Sequence, residues 1–242
     1  MAHQEKINTF IEKTRGLPAE QIIKFVWETF GKRVNFASSL GEEDQVITDM
    51  ISKVAPQMEI FTLDTGRLHQ ETYDLLARTQ KRYPMKFVIM CPDTTAVEEM
   101  VRSKGINLFY ESVDNRKLCC HVRKVEPLQR ALKNVDAWIT GLRREQSVTR
   151  GDIQTFEWDE ANQKIKINPL VTWTLDDVHK YIKENKVDVN SLHAKGFVSI
   201  GCAPCTRAIK PGEDIRAGRW WWENPENKEC GIHNNPRRPK KT

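Results

Sequence analysis

Between residues 33 and 141, short apolar runs alternate with segments of helical period, and this alternation constrains the fold more than any other feature of the chain. Residues 33–37, 58–63, 85–90 and 137–141 read as strands. Between them, 43–54, 69–82 and 95–104 carry apolar residues at helical spacing, as does 117–133, which bears Cys119 and Cys120. An amphipathic helix over 19–30 precedes the set. A helix that crosses from one strand to the next returns the chain in the same direction, so the expected class is α/β, a mostly parallel sheet flanked by helices. Ligands of such sheets bind at the carboxyl ends of the strands. Residues 154–158 and 164–168 read as a hairpin added to the sheet, and Thr174, with Asp177 three residues on, opens a helix ending near Asn185. After Gly196, glycine and proline recur too often for long elements. The expected organisation is an α/β domain over 1–206 and a mobile, loop-rich C-terminal segment over 207–242.

With 242 residues, 39% hydrophobic and 29% charged, the chain can bury one large core and has the composition of neither a disordered nor a membrane protein. No run approaches about 18 consecutive apolar residues, and the first residues lack the basic-then-apolar order of a secretory signal. A cytoplasmic location is therefore expected, where thiols stay reduced. The six cysteines then point to metal binding or catalysis rather than to disulfides. The net charge of +5 conceals a basic C-terminal stretch that includes Arg207, Lys210, Arg216 and Arg219. It calls for an anionic partner. No nucleic-acid-binding pattern accompanies it, which turns the expectation toward a small polyanion.

Ser38-Ser39-Leu40-Gly41 follows the first strand and opens a helix, where backbone N–H groups and hydroxyls can face an anion. A capping box between Ser39 and Glu42 explains the same residues without a ligand. Position at the first strand-to-helix turn favours the anion. Asp64-Thr65-Gly66-Arg67, at the next strand end, suits a ribose or phosphate, or is an ordinary turn.

Cys202-x-x-Cys205 is a compact two-ligand unit, whereas the adjacent pair Cys119-Cys120 is unusual for zinc. Four cysteines also satisfy an iron–sulfur cluster. The alternative is a buried helical pair beside a redox dithiol. Cys230, in Glu229-Cys230-Gly231-Ile232-His233, has the glycine-flanked exposure that a nucleophile needs. Cys91 ends an apolar strand and reads as a buried small hydrophobe.

Taken in order, the motifs SSLGEEDQ, LDTGRL, KLCC, GLRREQ, GCAPCTR, GRWWWE and ECGIH resemble those of the thioredoxin-dependent adenylyl-sulfate reductases. These belong to the family that reduces adenosine 5′-phosphosulfate (APS) or its 3′-phosphorylated form (PAPS). The resemblance spans nearly the whole chain. It implies the fold of the adenine nucleotide α-hydrolase-like, PP-loop proteins and a role in assimilatory sulfate reduction. It implies a [4Fe-4S] cluster on Cys119, Cys120, Cys202 and Cys205, and Cys230 as the nucleophile that becomes S-sulfocysteine before thioredoxin releases sulfite. Lys124 is implied beside cluster and substrate, and Arg216 and Arg219 as a clamp on the phosphosulfate. Ser38, Ser39, Leu40, Gly41, Asp64, Thr65, Gly66 and Arg67 are implied as further substrate contacts, with Arg143 or Arg144. Trp220, Trp221 and Trp222 are expected to pack the base of the C-terminal segment onto the domain, and His233 to orient Cys230. A homo-oligomer, dimer or tetramer, is also implied, with no membrane or nucleic-acid partner. Four cluster cysteines favour APS over PAPS, with dual use the nearest alternative and a non-enzymatic iron–sulfur nucleotide sensor a remote one.

Overall fold

The computed structural model describes residues 2–146 and 153–224. Helices α1 (Ala2–Thr14) and α2 (Ala19–Phe30) lead into β1 (Val34–Ala37), followed by α3 (Glu42–Val54), β2 (Glu59–Leu63), α4 (Gln70–Arg82), β3 (Phe87–Met90) and α5 (Thr94–Lys104). Helix α6 (Val113–Cys120) continues through one π turn (His121–Val125) into α7 (Glu126–Leu132). Strand β4 (Ala137–Ile139), the hairpin β5 (Phe156–Asp159) and β6 (Lys164–Ile167), and α8 (Leu175–Asn185) complete the regular structure.

Among the described residues the strands form one six-stranded sheet in the order β3-β2-β1-β4-β6-β5. Strand β1 is parallel to β2 and β4, β4 is parallel to β6, and β5 is antiparallel to β6. The bonds Ile60 N–H to Lys86 O and Asp64 N–H to Met90 O advance together along both chains, so β3 is parallel as well. Central strands must be apolar on both faces because helices cover both. Val34, Phe36, Ala137, Trp138 and Ile139 are accordingly buried, and all of them but Trp138 share a core with Ile23 and Val26 of α2 and Ile47 and Ile51 of α3. The hairpin expected from 154–168 is present, and through β6 it extends the sheet beside β4.

Three details differ from the sequence reading. Helix α1 was not foreseen; Ile7, Phe10 and Thr14, at helical spacing, are its buried face. Strand β4 stops at Ile139, so Thr140 and Gly141 belong to a loop. Cys91 is exposed rather than buried, because it follows the outermost strand, β3, whose residues are only partly covered.

Contacts divide the chain into two compact units. The first comprises Met1–Thr62, Glu71–Val88 and Asn134–Asn190, and the second Leu63–Gln70, Ile89–Lys133 and Ser191–Thr242, described to Asn224. Among the described residues, no helix is long and apolar enough to cross a membrane.

Candidate active site

From β1 the chain proceeds to β2 on one side, while β4 pairs on the other, so the strand order reverses between β1 and β4. That reversal opens a crevice at the carboxyl ends of the two strands. In the first unit, the loops that follow them are residues 38–41 and 140–144. Leu40 takes a left-handed backbone conformation (φ 62°), unusual for a non-glycine residue, with its N–H on Ser38 Oγ at 3.2 Å. Its side chain packs among Leu75, Leu76 and Phe87, so only its backbone faces the loop.

The capping box between Ser39 and Glu42 is not formed. Gly41 is the N-cap of α3 without a side-chain cap bond. The Ser39 N–H and hydroxyl instead both donate to Asp44 Oδ2, each at 2.6 Å. Burial pushes the Asp44 carboxyl up to about 6, against the opposing effect of the Ser39 hydrogen bonds. A Cβ on Gly141 would lie 2.1 Å from Asp44 Oδ1, so only glycine lets the β4 loop approach this closely. Arg143 closes the arrangement, donating from Nε to Glu43 Oε1 at 2.9 Å and from Nη1 to Trp173 O at 3.3 Å. Arg144 donates to Ile153 O. The buried carboxylate thus gathers the donors of the first loop, and a guanidinium ties the second loop to the start of α3.

The second unit holds the thiols. Cys119 and Cys120 end α6, and Cys202 caps a single 3-10 turn that Cys205 ends; all four are buried, reduced, and line one open recess. Arg67, Arg116, Arg123 and Lys124 line it as well, over an apolar lining of Phe109, Pro204 and Trp220. The π turn widens the helix where Arg123 and Lys124 follow the cysteine pair, a local irregularity typical of functional sites. The Asp64–Arg67 loop is a further wall. Gly66 N–H donates to Asp64 Oδ1 at 2.8 Å, and Thr65 Oγ1 and Cys202 Sγ are hydrogen-bonded at 3.2 Å. Thr65 O accepts from Arg123 Nη1 at 2.7 Å, and Arg67 O from Ala203 N–H at 2.8 Å. The Arg67 guanidinium sits 4.9 Å over the Phe109 ring and bonds Asn107 Oδ1.

Burial pushes the Cys119 thiol up and the Cys205 thiol up to about 12. At Cys202 burial acts the same way, but Lys124, the Thr65 hydroxyl and Arg219 outweigh it and hold the thiol below its ordinary value. Among the described residues, no group of three or more His, Cys, Asp or Glu side chains closes around a single ion position. The donor set nevertheless fits a larger anionic sulfur-ligated group. Four buried thiols need counter-charge once ionised, and guanidinium and ammonium groups supply it. Arg123 Nε and Trp220 Nε1, both on residues of the recess, are buried donors with no protein acceptor.

The base of the C-terminal segment packs into this unit. Arg219 is buried, lies 4.6 Å over the Trp220 ring, and is bracketed by Gly201, where a Cβ would fall 2.5 Å from its Nη2. Trp220 is buried and Trp222 meets Tyr110 at 4.5 Å, as expected for tryptophans that anchor the segment, whereas Trp221, expected to pack with them, is exposed. Arg207 pairs with Glu213 at 2.8 Å, and the Arg216 backbone N–H donates to Asp214 Oδ1 at 2.8 Å. Cys230 and His233 lie outside the described residues. Sequence reasoning missed Asp44, Arg116 and Arg123. The last two stand three or four residues from the cysteines, on the helix face they share, and that spacing was readable.

A mostly parallel six-stranded sheet flanked by helices, its order reversing between β1 and β4, makes this an α/β protein. The fold resembles the crystal structure of phosphoadenylyl-sulfate (PAPS) reductase from Candida auris, a phosphate complex, with a TM-score of 0.74 and 31% identity over 85% of this chain and 97% of that one. Candida glabrata FMN adenylyltransferase with FMN and an ATP analogue shares the fold alone, at a TM-score of 0.55 and 15% identity over 98% of this chain and 77% of that one. The phosphoadenosine phosphosulfate reductase domain matches residues 33–208. An adenosine 5′-phosphosulfate reductase of Allochromatium vinosum is 47% identical over 98% of this chain and 93% of its own length. One of Burkholderia cepacia is 54% identical over 83% and 80%. The chain belongs to the APS/PAPS reductase family.

Proposed function

We propose that this protein reduces APS to sulfite and AMP in assimilatory sulfate reduction, drawing two electrons from a thioredoxin-type dithiol. The observation that carries the reading is the set of four buried thiols among cations, in a chain 47% identical over 98% of its length to a relative named for that reaction. The Cys230 thiolate attacks the sulfur of the phosphosulfate; the sulfur–oxygen bond to phosphate breaks, AMP leaves with that electron pair, and S-sulfocysteine forms. A donor thiolate then attacks Cys230 Sγ and expels sulfite, and the second donor thiol resolves the mixed disulfide.

A [4Fe-4S] cluster on Cys119, Cys120, Cys202 and Cys205 would supply fixed charge and no electrons, since the dithiol provides both. Lys124, Arg216 and Arg219 neutralise charge on the leaving group, which lowers the barrier as that charge develops. The loop of Ser38, Ser39, Leu40 and Gly41 holds the nucleotide phosphate through the groups that Asp44 leaves open, since the Ser39 N–H and hydroxyl are held by Asp44, with Arg144 as the further contact. The ties of Arg143 to Glu43 and Trp173 O favour it as the residue that holds the loop. Asp64, Thr65, Gly66 and Arg67 serve the thiol site as its wall, and His233 orients Cys230. The chain acts in the cytoplasm as a dimer or tetramer.

Anaerobically purified protein mixed with APS should gain the mass of one sulfo group on Cys230, and Cys230→Ser should not. An adduct that persists in Cys230→Ser refutes the nucleophile. Iron and sulfide analysis of the same preparation tests the cluster; stoichiometric zinc in colourless protein excludes it. The likeness to a PAPS reductase supports a second reading, use of PAPS. Turnover of the two nucleotides decides between them, and a strong preference for PAPS overturns the first.

A further inference from the structure

We propose that the buried ion pair between Arg116 and Glu223 positions the root of the C-terminal segment against the thiol site, so that Cys230 is delivered to substrate in register. The proposal rests on the reading of Cys230 as nucleophile. Arg116 lies on α6, three residues before Cys119, and Glu223 lies seven positions before Cys230. The pair is bidentate, Nε to Oε1 at 2.9 Å and Nη2 to Oε2 at 2.8 Å, with the two side chains 2% and 3% exposed. Two parallel bonds fix direction as well as distance, which a lysine or a single bond does not.

The same guanidinium hydrogen-bonds the Cys120 thiol and lies 4.8 Å over the Trp220 ring. One cation therefore touches a cysteine of the site, the indole at the segment's base and the carboxylate at its exit. Trp220 reinforces the joint from the other cysteine element: its N–H donates to Cys205 O at 3.2 Å, and Glu223 N–H donates back to Trp220 O at 2.8 Å. Trp220 adopts φ 41°, a left-handed conformation that a bulky residue holds only when its surroundings impose it. Residues 219–223 are thus fastened to both cysteine-bearing elements. A segment that only had to be tethered needs no buried, doubly bonded charge pair, because the tryptophans already anchor it; a segment that must arrive at a fixed place does.

Glu223→Gln preserves shape and removes the carboxylate charge. It is compared with the unsubstituted holoenzyme for iron content, visible absorbance, KM for APS, single-turnover rate of the sulfo adduct on Cys230, and backbone hydrogen exchange of the peptide spanning 218–224. Iron, absorbance and KM should stay within twofold, while the adduct rate falls at least tenfold and exchange at 218–224 rises. If Glu223→Gln does not fold, the neutral pair Arg116→Gln with Glu223→Gln, which strands no buried charge, takes its place with the same expectations. An unchanged adduct rate overturns the positioning role, and so does loss of iron in step with the rate, which would make the pair merely part of the thiol site. Absence of adduct in the unsubstituted protein refutes the nucleophile assignment and the positioning role together, and is distinguished by failing before any substitution is made.

Discussion

Ser39 and Asp44 show how a single residue decides what a loop can offer. Ser39 directs both its N–H and its hydroxyl to the Asp44 carboxylate, so a buried acid occupies donors that an incoming anion would use. Its folded carboxyl titrates near 6, above the ordinary 3.8, chiefly because burial disfavours charge. A folded value above the unfolded one means that the stabilising contribution is complete below about pH 4 and is lost as pH rises to about 6, amounting to about 3 kcal/mol. Denaturant midpoints measured from pH 4 to 7 should therefore fall less steeply for Asp44→Asn than for the unsubstituted protein; parallel curves would refute the assignment. Gly141→Ala tests the same junction by volume. Its methyl would meet Asp44 Oδ1 at 2.1 Å, and the forced separation of the two loops should lower stability by about 1–3 kcal/mol, read as a lower melting midpoint. Weaker nucleotide binding should accompany it, measured by calorimetry.

At the scale of elements, α8 begins with a full capping box, Thr174 Oγ1 accepting from Asp177 N–H while the Asp177 carboxylate accepts from Thr174 N–H. Thr174→Ala should cost about 1 kcal/mol in urea unfolding and speed hydrogen exchange in the first turn of α8. This helix, like α2 and the β1–α3–β2 succession, was readable because the signals are local: apolar spacing, a cap, a turn residue. Helix α1 carries the same spacing at Ile7, Phe10 and Thr14 but is polar elsewhere, and its buried face matters only once the hairpin β5–β6 lies nearby in the fold. The misreading of Cys91 has the opposite cause, since an apolar strand gives no sign that it will end up outermost in a sheet. The motifs around the cysteines were legible as a set, yet their counter-charges were only partly so. Arg116 shares a helix face with Cys119, whereas its partner Glu223 is 107 positions away and no periodicity links them.

At the scale of the molecule, the two units differ in what holds them together. The first has a broad aliphatic and aromatic core built around β1, β4 and the helices α2 and α3. In the second, Cys119, Cys202 and Cys205 are themselves members of the core, with Met100, Leu108, Phe109 and Trp220. If the four thiols carry a cluster, removing iron with a chelator should strip hydrogen-exchange protection from the second unit well before the first. Uniform loss across both would show instead that the thiol site is not a separate source of stability. The second unit also draws on three separate stretches of chain, and about 80 residues lie between Cys120 and Cys202. At roughly 5–20 residues per second, the first thiol pair leaves the ribosome about 4–16 s ahead of the second. Through that interval the nascent chain displays two neighbouring thiols before Cys202 and Cys205 have been made. If the four thiols carry a cluster, its loading is thereby a late event in biogenesis, and guarding Cys119 and Cys120 against oxidation is a task for the cell before it is one for the fold.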